Sequence, residues 1–279
     1  TVNQSLPRIA ANRHDISPEH RIVMRTLLLW LLICFSAPAL AAEPVAVWAY
    51  QPSPPFASGQ GRGLSEALVE LLNEHPSNQD RSEFRLSQLP RKRLDARLAA
   101  NEPGILLWAT PEFFPEHLTT GASWTPPLLC DIQDFVSRRD APVDYDGPRS
   151  LHGKRLGGIL GHRYRELQPD IDKGLIRRED VHSDLQNLNK LLSGRIDVVL
   201  MPRSSRLFYS LTETSADQLY VSPKPLYVFD RHLLMTASLP AETTQFMQQM
   251  IADLPHSARW LKLLRRYGLH EMSAPCTRY

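Results

Sequence analysis

Long hydrophobic runs are scarce in this chain. The apolar stretch Leu27–Phe35 is nine residues long, whereas a helix that crosses a bilayer needs about 20. A permanent membrane span is therefore not expected. Charge of one sign is also lacking: 32 basic residues face 30 acidic ones, and the formal net charge is +2. A nucleic-acid binder carries a concentrated basic footprint, and the basic spots Arg91-Lys92-Arg93 and Arg265-Arg266 are too short to make one. Cysteine is rare, with three residues, and no Cys/His spacing suits a zinc site. No Gly-x-Ser-x-Gly elbow, phosphate loop or His-Glu-x-x-His motif occurs, and the glycines of Gly59–Gly63 lack dinucleotide-binding spacing. Cofactors and resident metals are not expected.

What is present begins with the short apolar run itself. Met24 and Arg25 precede it, and Ser36–Ala42, containing Ala39-Leu40-Ala41, follows. A positive start, a short apolar block and a small-x-small site make a secretory signal peptide. Residues 24–41 are read as that signal, with cleavage after Ala41. Residues 1–23 are read as sequence upstream of the true start or as a disordered extension. Removing Arg8, Arg13, Arg21, Arg25, Asp15 and Glu19 brings acid and base into balance, so no nucleic-acid partner is expected. Cys34 leaves with the signal. Cys130 and Cys276 remain, and two cysteines in an oxidising compartment favour a disulfide.

Along the mature chain, β-rich and helical patterns alternate. Val45–Tyr50 reads as a strand that ends in the rigid loop Gln51–Phe56. Leu64, Leu68, Leu71 and Leu72 then recur at helical spacing. Phe84–Leu89 and Ile105–Trp108 read as strands flanking a short helix at Arg93–Ala100. After the turn-rich Pro142–Pro148, a second series begins with a strand at Lys154–Leu160, and a helix starts at His162. A helix capped by Ser183 carries Leu185, Leu188, Leu191 and Leu192 on one face and stops at Gly194. Ile196–Met201 reads as a strand and Pro202–Ser205 as a loop. Leu226–Ala237 is extended, and two helices, Glu242–Leu254 and Ser257–Tyr267, close the chain. The alternation predicts an α/β architecture with a largely parallel sheet. Ligand sites in such folds favour lobe interfaces and the carboxyl ends of strands.

Five segments in this order resemble a known family. They are Tyr50–Leu72, Leu94–Glu112, Leu151–Tyr164, Leu185–Met201 with Gly194-Arg195-Ile196-Asp197, and Trp260–Gly268. Together they resemble the type 2 periplasmic solute-binding proteins, the extracellular family 3 group linked to ABC transporters of polar amino acids. The resemblance implies two lobes with a cleft between them and lobe 2 inserted in lobe 1. Lobe 1 would hold residues 42–136 and 226–279, and lobe 2 residues 137–225. It also implies lobe closure on a small-molecule ligand, no catalysis, a periplasmic monomer, and a permease or sensor in the membrane as partner. The family's C-terminal segment packs back on lobe 1, which would bring Cys276 to Cys130.

Candidate ligand residues follow, each with a competing structural role. Tyr50 and Phe56 flank the proline loop, where an aromatic ring can stack on a ligand or pack beneath the loop. Trp108 and Thr110 end a strand that faces the cleft in the family, yet a buried Trp is as good a reading. Arg163 follows Gly161 and His162 at an expected helix start, where backbone N–H groups and a guanidinium attract anions. Arg203 can line the cleft or form an ion pair. Asp197 reads as structural. Family members clamp an α-carboxylate with the Arg of Thr-x-Glu-Arg and an ammonium with an acid after the Gly-Arg-x-Asp strand. Here Phe113 stands at the first position, and the run Val198–Pro202 after Asp197 offers no acid at the second. The ligand is thus expected to be a small polar or aromatic solute other than a standard amino acid, with an anionic end near Arg163. Two other classes stay open: an enzyme on the same fold, dehydratase-like, for which Glu112 is the evident acid, and a degenerate interaction module.

Overall fold

The computed structural model describes residues 44–57, 63–78, 82–212, 216–272 and 274–276. The expected signal segment, residues 1–23 and Gly59 and Gly61 lie outside them. Among the described residues no helix is long and apolar enough to cross a membrane.

Strand β1 (Val45–Ala49) is parallel to β2 (Phe84–Gln88) on one side and to β3 (Ile105–Ala109) on the other. Helix α1 (Leu64–Asn73) joins β1 to β2, and α2 (Arg91–Ala99) joins β2 to β3. All five residues of β3 are buried, as expected of a strand covered on both faces. The second half repeats the plan. Strand β6 (Arg155–Ile159) is parallel to β7 (Arg177–Val181) and to β8 (Val198–Pro202). Helix α3 (Gln168–Asp172) precedes β7, and α4 (Asp184–Leu192) precedes β8.

Two long strands join the halves. β5 (Leu129–Arg138) and β10 (Tyr227–Met235) are antiparallel to each other; β10 borders β3, and β5 borders β8. The order is β2-β1-β3-β10-β5-β8-β6-β7, with β4 (Ser123–Trp124) on β10 and β9 (Leu219–Val221) on β5. The result is a two-lobed α/β fold in which each parallel set has its own core. Val47, Leu68, Ile105 and Trp260 pack in the first, and Phe135, Leu156, Leu167 and Leu200 in the second. Helices α6 (Ala241–Asp253) and α7 (Ala258–Arg266) return to the first core. α7 buries Trp260 and Leu264, and the Ser257 hydroxyl caps it by accepting from the Trp260 N–H.

Two expectations are corrected. The chain from His162 to Tyr164 is not helical; the helix begins at Gln168 with Pro169 in its first turn. A helix from His162 would place Pro169 in its interior, where the ring clashes with the preceding turn and a hydrogen bond is lost. The expected loop at Pro202–Ser205 is instead the junction of β8 with a ten-residue helix, α5 (Arg203–Thr212). Its start is fixed from β5: Asp131 accepts from the backbone N–H of Ser204 at 3.1 Å and from its hydroxyl at 2.7 Å.

The Cys130–Cys276 disulfide is present, with Cα atoms 4.8 Å apart. Cys130 lies on β5, and its N–H donates to the Met272 carbonyl, so the C-terminal segment lies against that strand. The Asp230 carboxylate accepts from the Cys276 N–H at 2.8 Å.

Candidate functional site

The proline loop after β1 turns sharply. The Leu64 N–H donates to the Pro55 carbonyl, and the Ser65 N–H to that of Phe56. This holds Phe56 over the start of α1, buried against Trp108 with ring centres 5.1 Å apart. Trp108 has φ of +59°, a left-handed conformation that is rare for a large side chain. Its indole N–H donates to the Ser65 hydroxyl at 2.9 Å. The Arg231 guanidinium also lies over the Phe56 ring, 4.5 Å from its centre. Phe56 and Arg231 line the cleft, and Trp108 lies behind Phe56 in the first core.

Arg231 projects from β10 at one of the alternate buried positions, Phe229, Arg231 and Leu233. A cation at such a position needs a partner. Asp131 on β5 supplies it, with contacts of 2.6 and 2.7 Å to the guanidinium. Three residues along β5, Asp134 is engaged by both Arg203 and Arg206 of α5. These ion pairs tie the long strands to the start of α5.

From the second lobe, the turn after β6 brings His162 and Tyr164 to the same space. Arg178 on β7 fixes this turn by donating to the carbonyls of Ile159 and His162 at 3.0 and 2.8 Å. Gly158 leaves room for that clasp: a Cβ there would meet the Arg178 and Asp180 side chains. The protein crowded around His162, and the cations Arg178 and Arg91, hold its imidazole below the ordinary value, although the residue keeps an open edge. Helix α4 begins here. Ser183 caps it, accepting from the Gln186 N–H, and Asp184 occupies its first turn.

Asp184 is 3% exposed. Its Oδ1 is sealed from solvent and has no hydrogen-bond partner among the described residues. Burial pushes this carboxyl up to about 6; the nearby Ser205 and Ser53 hydroxyls pull it down, Asp131 adds to the rise, and Arg231 opposes it. Ser205 is also the bridge between the lobes, since its hydroxyl donates to the Pro54 carbonyl at 2.8 Å. Phe56, Gln133, His162, Asp184, Ser205 and Arg231 all line one small cleft, with about 30 Å³ open to water centres. That is room for a water or two.

Of the residues singled out from the sequence, Phe56 lines this cleft. Tyr50 stands beside it, edge-on to Phe114 at 5.8 Å and beneath the Arg91 guanidinium. Trp108 lies one layer deeper, 0% exposed. Thr110 is buried, and its hydroxyl donates to the Asp230 carbonyl at 2.9 Å, pinning the end of β3 to β10. Arg203 is held by Asp134. Arg163 is exposed and outside the cleft lining. Asp197 pairs with Arg155 at 2.7 Å, which lowers its carboxyl. Phe113 packs on Tyr227 and Phe229 at 5.7 and 5.2 Å.

Sequence reasoning missed Arg231, Asp184, Gln133 and Ser205. One signal for Arg231 was visible: a lone cation at the buried parity of an apolar strand, Tyr227–Met235. Asp131 and Asp134 break the apolar run of β5 in the same way.

Two α/β lobes flank a polar cleft and are joined by two strands, the fold that the resemblance to the type 2 periplasmic solute-binding proteins implies. Solved structures bear this out. The ligand-binding core of GluR0 from Nostoc punctiforme, in complex with L-glutamate, matches with a TM-score of 0.62 at 15% identity, over 80% of this chain and 99% of that one. The P235GK mutant of ArgBP from T. maritima matches at 0.60 and 15%, over 80% and 94%. The arginine-, lysine-, histidine-binding protein ArtJ from Geobacillus stearothermophilus matches at 0.59 and 14%, over 81% and 95%. At these identities the likeness is one of fold. No protein-family model and no curated protein matches the chain.

Proposed function

We propose that this protein is an exported solute-binding protein that captures a small molecule by lobe closure and presents the closed form to a membrane permease or sensor. The observation that carries the reading is the cleft lined from both lobes and bridged by the Ser205–Pro54 hydrogen bond. Lobe 1 comprises residues 42–136 and 226–279, and lobe 2 residues 137–225. The two parallel strand sets with their separate cores, joined by β5 and β10, support a division of this kind. The disulfide fits an oxidising compartment, in keeping with the periplasm, and the protein acts as a monomer. A non-catalytic role is supported by Glu112, the acid a dehydratase-like reading would use, which is exposed and outside the cleft lining.

A thermal-shift screen against a metabolite library tests the reading. A ligand at 100 times its dissociation constant adds about 2.7 kcal/mol to stability, and small-angle scattering of that complex should give a smaller radius of gyration. Binding with an unchanged scattering curve would refute closure. Failure of every compound would favour an interaction module, and turnover of a carbonyl acid would favour an enzyme. N-terminal sequencing of the envelope form should begin at Ala42; a start at Met24 would refute the signal peptide.

A further inference from the structure

A buried acceptor without a donor is rare in native structures and costs free energy. Asp184 Oδ1 is such an acceptor, and Asp184 is one of the residues that line the cleft. The surrounding charges decide what it lacks. Among the lining residues the side chains able to carry a positive charge are Arg231 and His162. Arg231 is engaged by Asp131 at 2.6 Å. Burial in the turn and the nearby Arg178 and Arg91 hold the His162 imidazole below its ordinary value, which disfavours a positive charge there. Those two arginines have carboxylates of their own, Asp180 and Asp95, each at 2.7 Å. Among the described residues, Asp184 is therefore the charge in the lining that lacks a counter-ion, and it leaves that lining negative. An anionic ligand would meet that carboxylate and find the lining cation already paired. A ligand with a positive N–H donor would satisfy Oδ1 and neutralise the site in one contact.

We infer that the cleft selects small organic cations, with Asp184 Oδ1 accepting a hydrogen bond from a ligand ammonium or amidinium group. This rests on the solute-binding reading above and names its ligand class. It replaces the anionic end near Arg163 anticipated from the sequence, because Arg163 lies outside the lining. The Phe56 ring and the small volume limit the rest of the ligand to a compact, uncharged body.

Size-matched probes test the inference. Ethanolamine, propylamine and methylguanidinium are compared with propionate, glycolate and acetamide at constant ionic strength and pH 7.5, by calorimetry and thermal shift. At least one cationic probe should bind and raise Tm. Asp184→Asn should weaken it at least tenfold, with circular dichroism confirming the fold. The wild-type protein supplies a second reading: at pH 4.5, where Asp184 is protonated, cation affinity should also fall at least tenfold, and by more than the same pH change lowers it in Asp184→Asn, in which His162 is the lining group left to gain charge. Unchanged cation affinity in Asp184→Asn, or at pH 4.5, overturns the inference. So does preference for an anionic or neutral compound, in this panel or in the wider library, although the solute-binding reading then stands. Silence from every compound overturns both.

Discussion

Arg231 on β10 and Asp131 on β5 form an ion pair whose side chains are 4% and 0% exposed. The pair does two structural jobs. Asp131 neutralises the cation that floors the cleft, and it holds the Ser204 N–H and hydroxyl at the start of α5.

Removing one partner leaves the other charge buried, which costs about 3–5 kcal/mol. Arg231→Met is therefore expected to lower the free energy of urea unfolding by that order. Replacing Asp131 by Leu as well should not restore stability, since the Ser204 donors then lose their acceptor at a cost of about 1–3 kcal/mol. Recovery of wild-type stability in the double variant would show that α5 does not depend on this cap.

Asp184 gives a stability change whose sign depends on pH. Burial raises its folded pKa from 3.8 to about 6, so the folded state binds the proton more tightly than the unfolded chain. Its contribution is unperturbed below about pH 4, becomes unfavourable as pH rises through 4 to 6, and is constant above that. A rise of that size corresponds to about 3 kcal/mol at most. Ligand-free Asp184→Asn should therefore match the wild type at pH 4 and exceed it at pH 7.5. Some of the gain is offset by the lost favourable charge at the α4 N-terminus, about 0.3–1 kcal/mol. Equal differences in Tm at both pH values would contradict this assignment.

The disulfide closes a sequence separation of 146 residues. In the chain-entropy model a loop above 100 residues is stabilised by up to about 4–5 kcal/mol, and measured values often fall short. Cys130→Ser with Cys276→Ser should lower Tm and free the C-terminal segment, read as faster amide exchange at Met272 and Cys276. Retained protection at both amides would mean that the hydrogen bonds of Cys130 and Cys276 suffice to hold the tail.

Free standard α-amino acids are expected to bind weakly or not at all. Phe113 stands where amino-acid binders of this fold place an arginine, and it is packed among Tyr227 and Phe229. Desolvating a carboxylate without a free guanidinium is costly. Submicromolar calorimetric affinity for any of the standard amino acids would overturn this and would point to Arg231 exchanging Asp131 for the ligand.

Much of the fold was legible because its signals are local. The apolar spacing of α1, the Ser183 and Ser257 caps and the buried run of β3 each follow from a few neighbouring residues, and the order of strands and helices followed from them. The two misread elements show where locality ends. Arg203–Ser205 resembles a loop until Asp131, far off in sequence, caps it as a helix. His162–Leu167 resembles a helix start until the clasp of Arg178 and the position of Pro169 make it a turn.

The sequence by itself determined the alternating α/β order and favoured a bridge between Cys130 and Cys276, because periodicity and composition act over short range or by simple count. Only the tertiary structure decided which side chains share the cleft. Trp108 sits one layer below it, Thr110 is spent on Asp230, and Arg203 is spent on Asp134. Arg231 and Asp184 meet there because crossing strands and a helix from the other lobe converge. The charge of a site is a sum over groups brought together by packing, so Asp184 could be recognised as uncompensated only after the lining cation, Arg231, had been matched to Asp131.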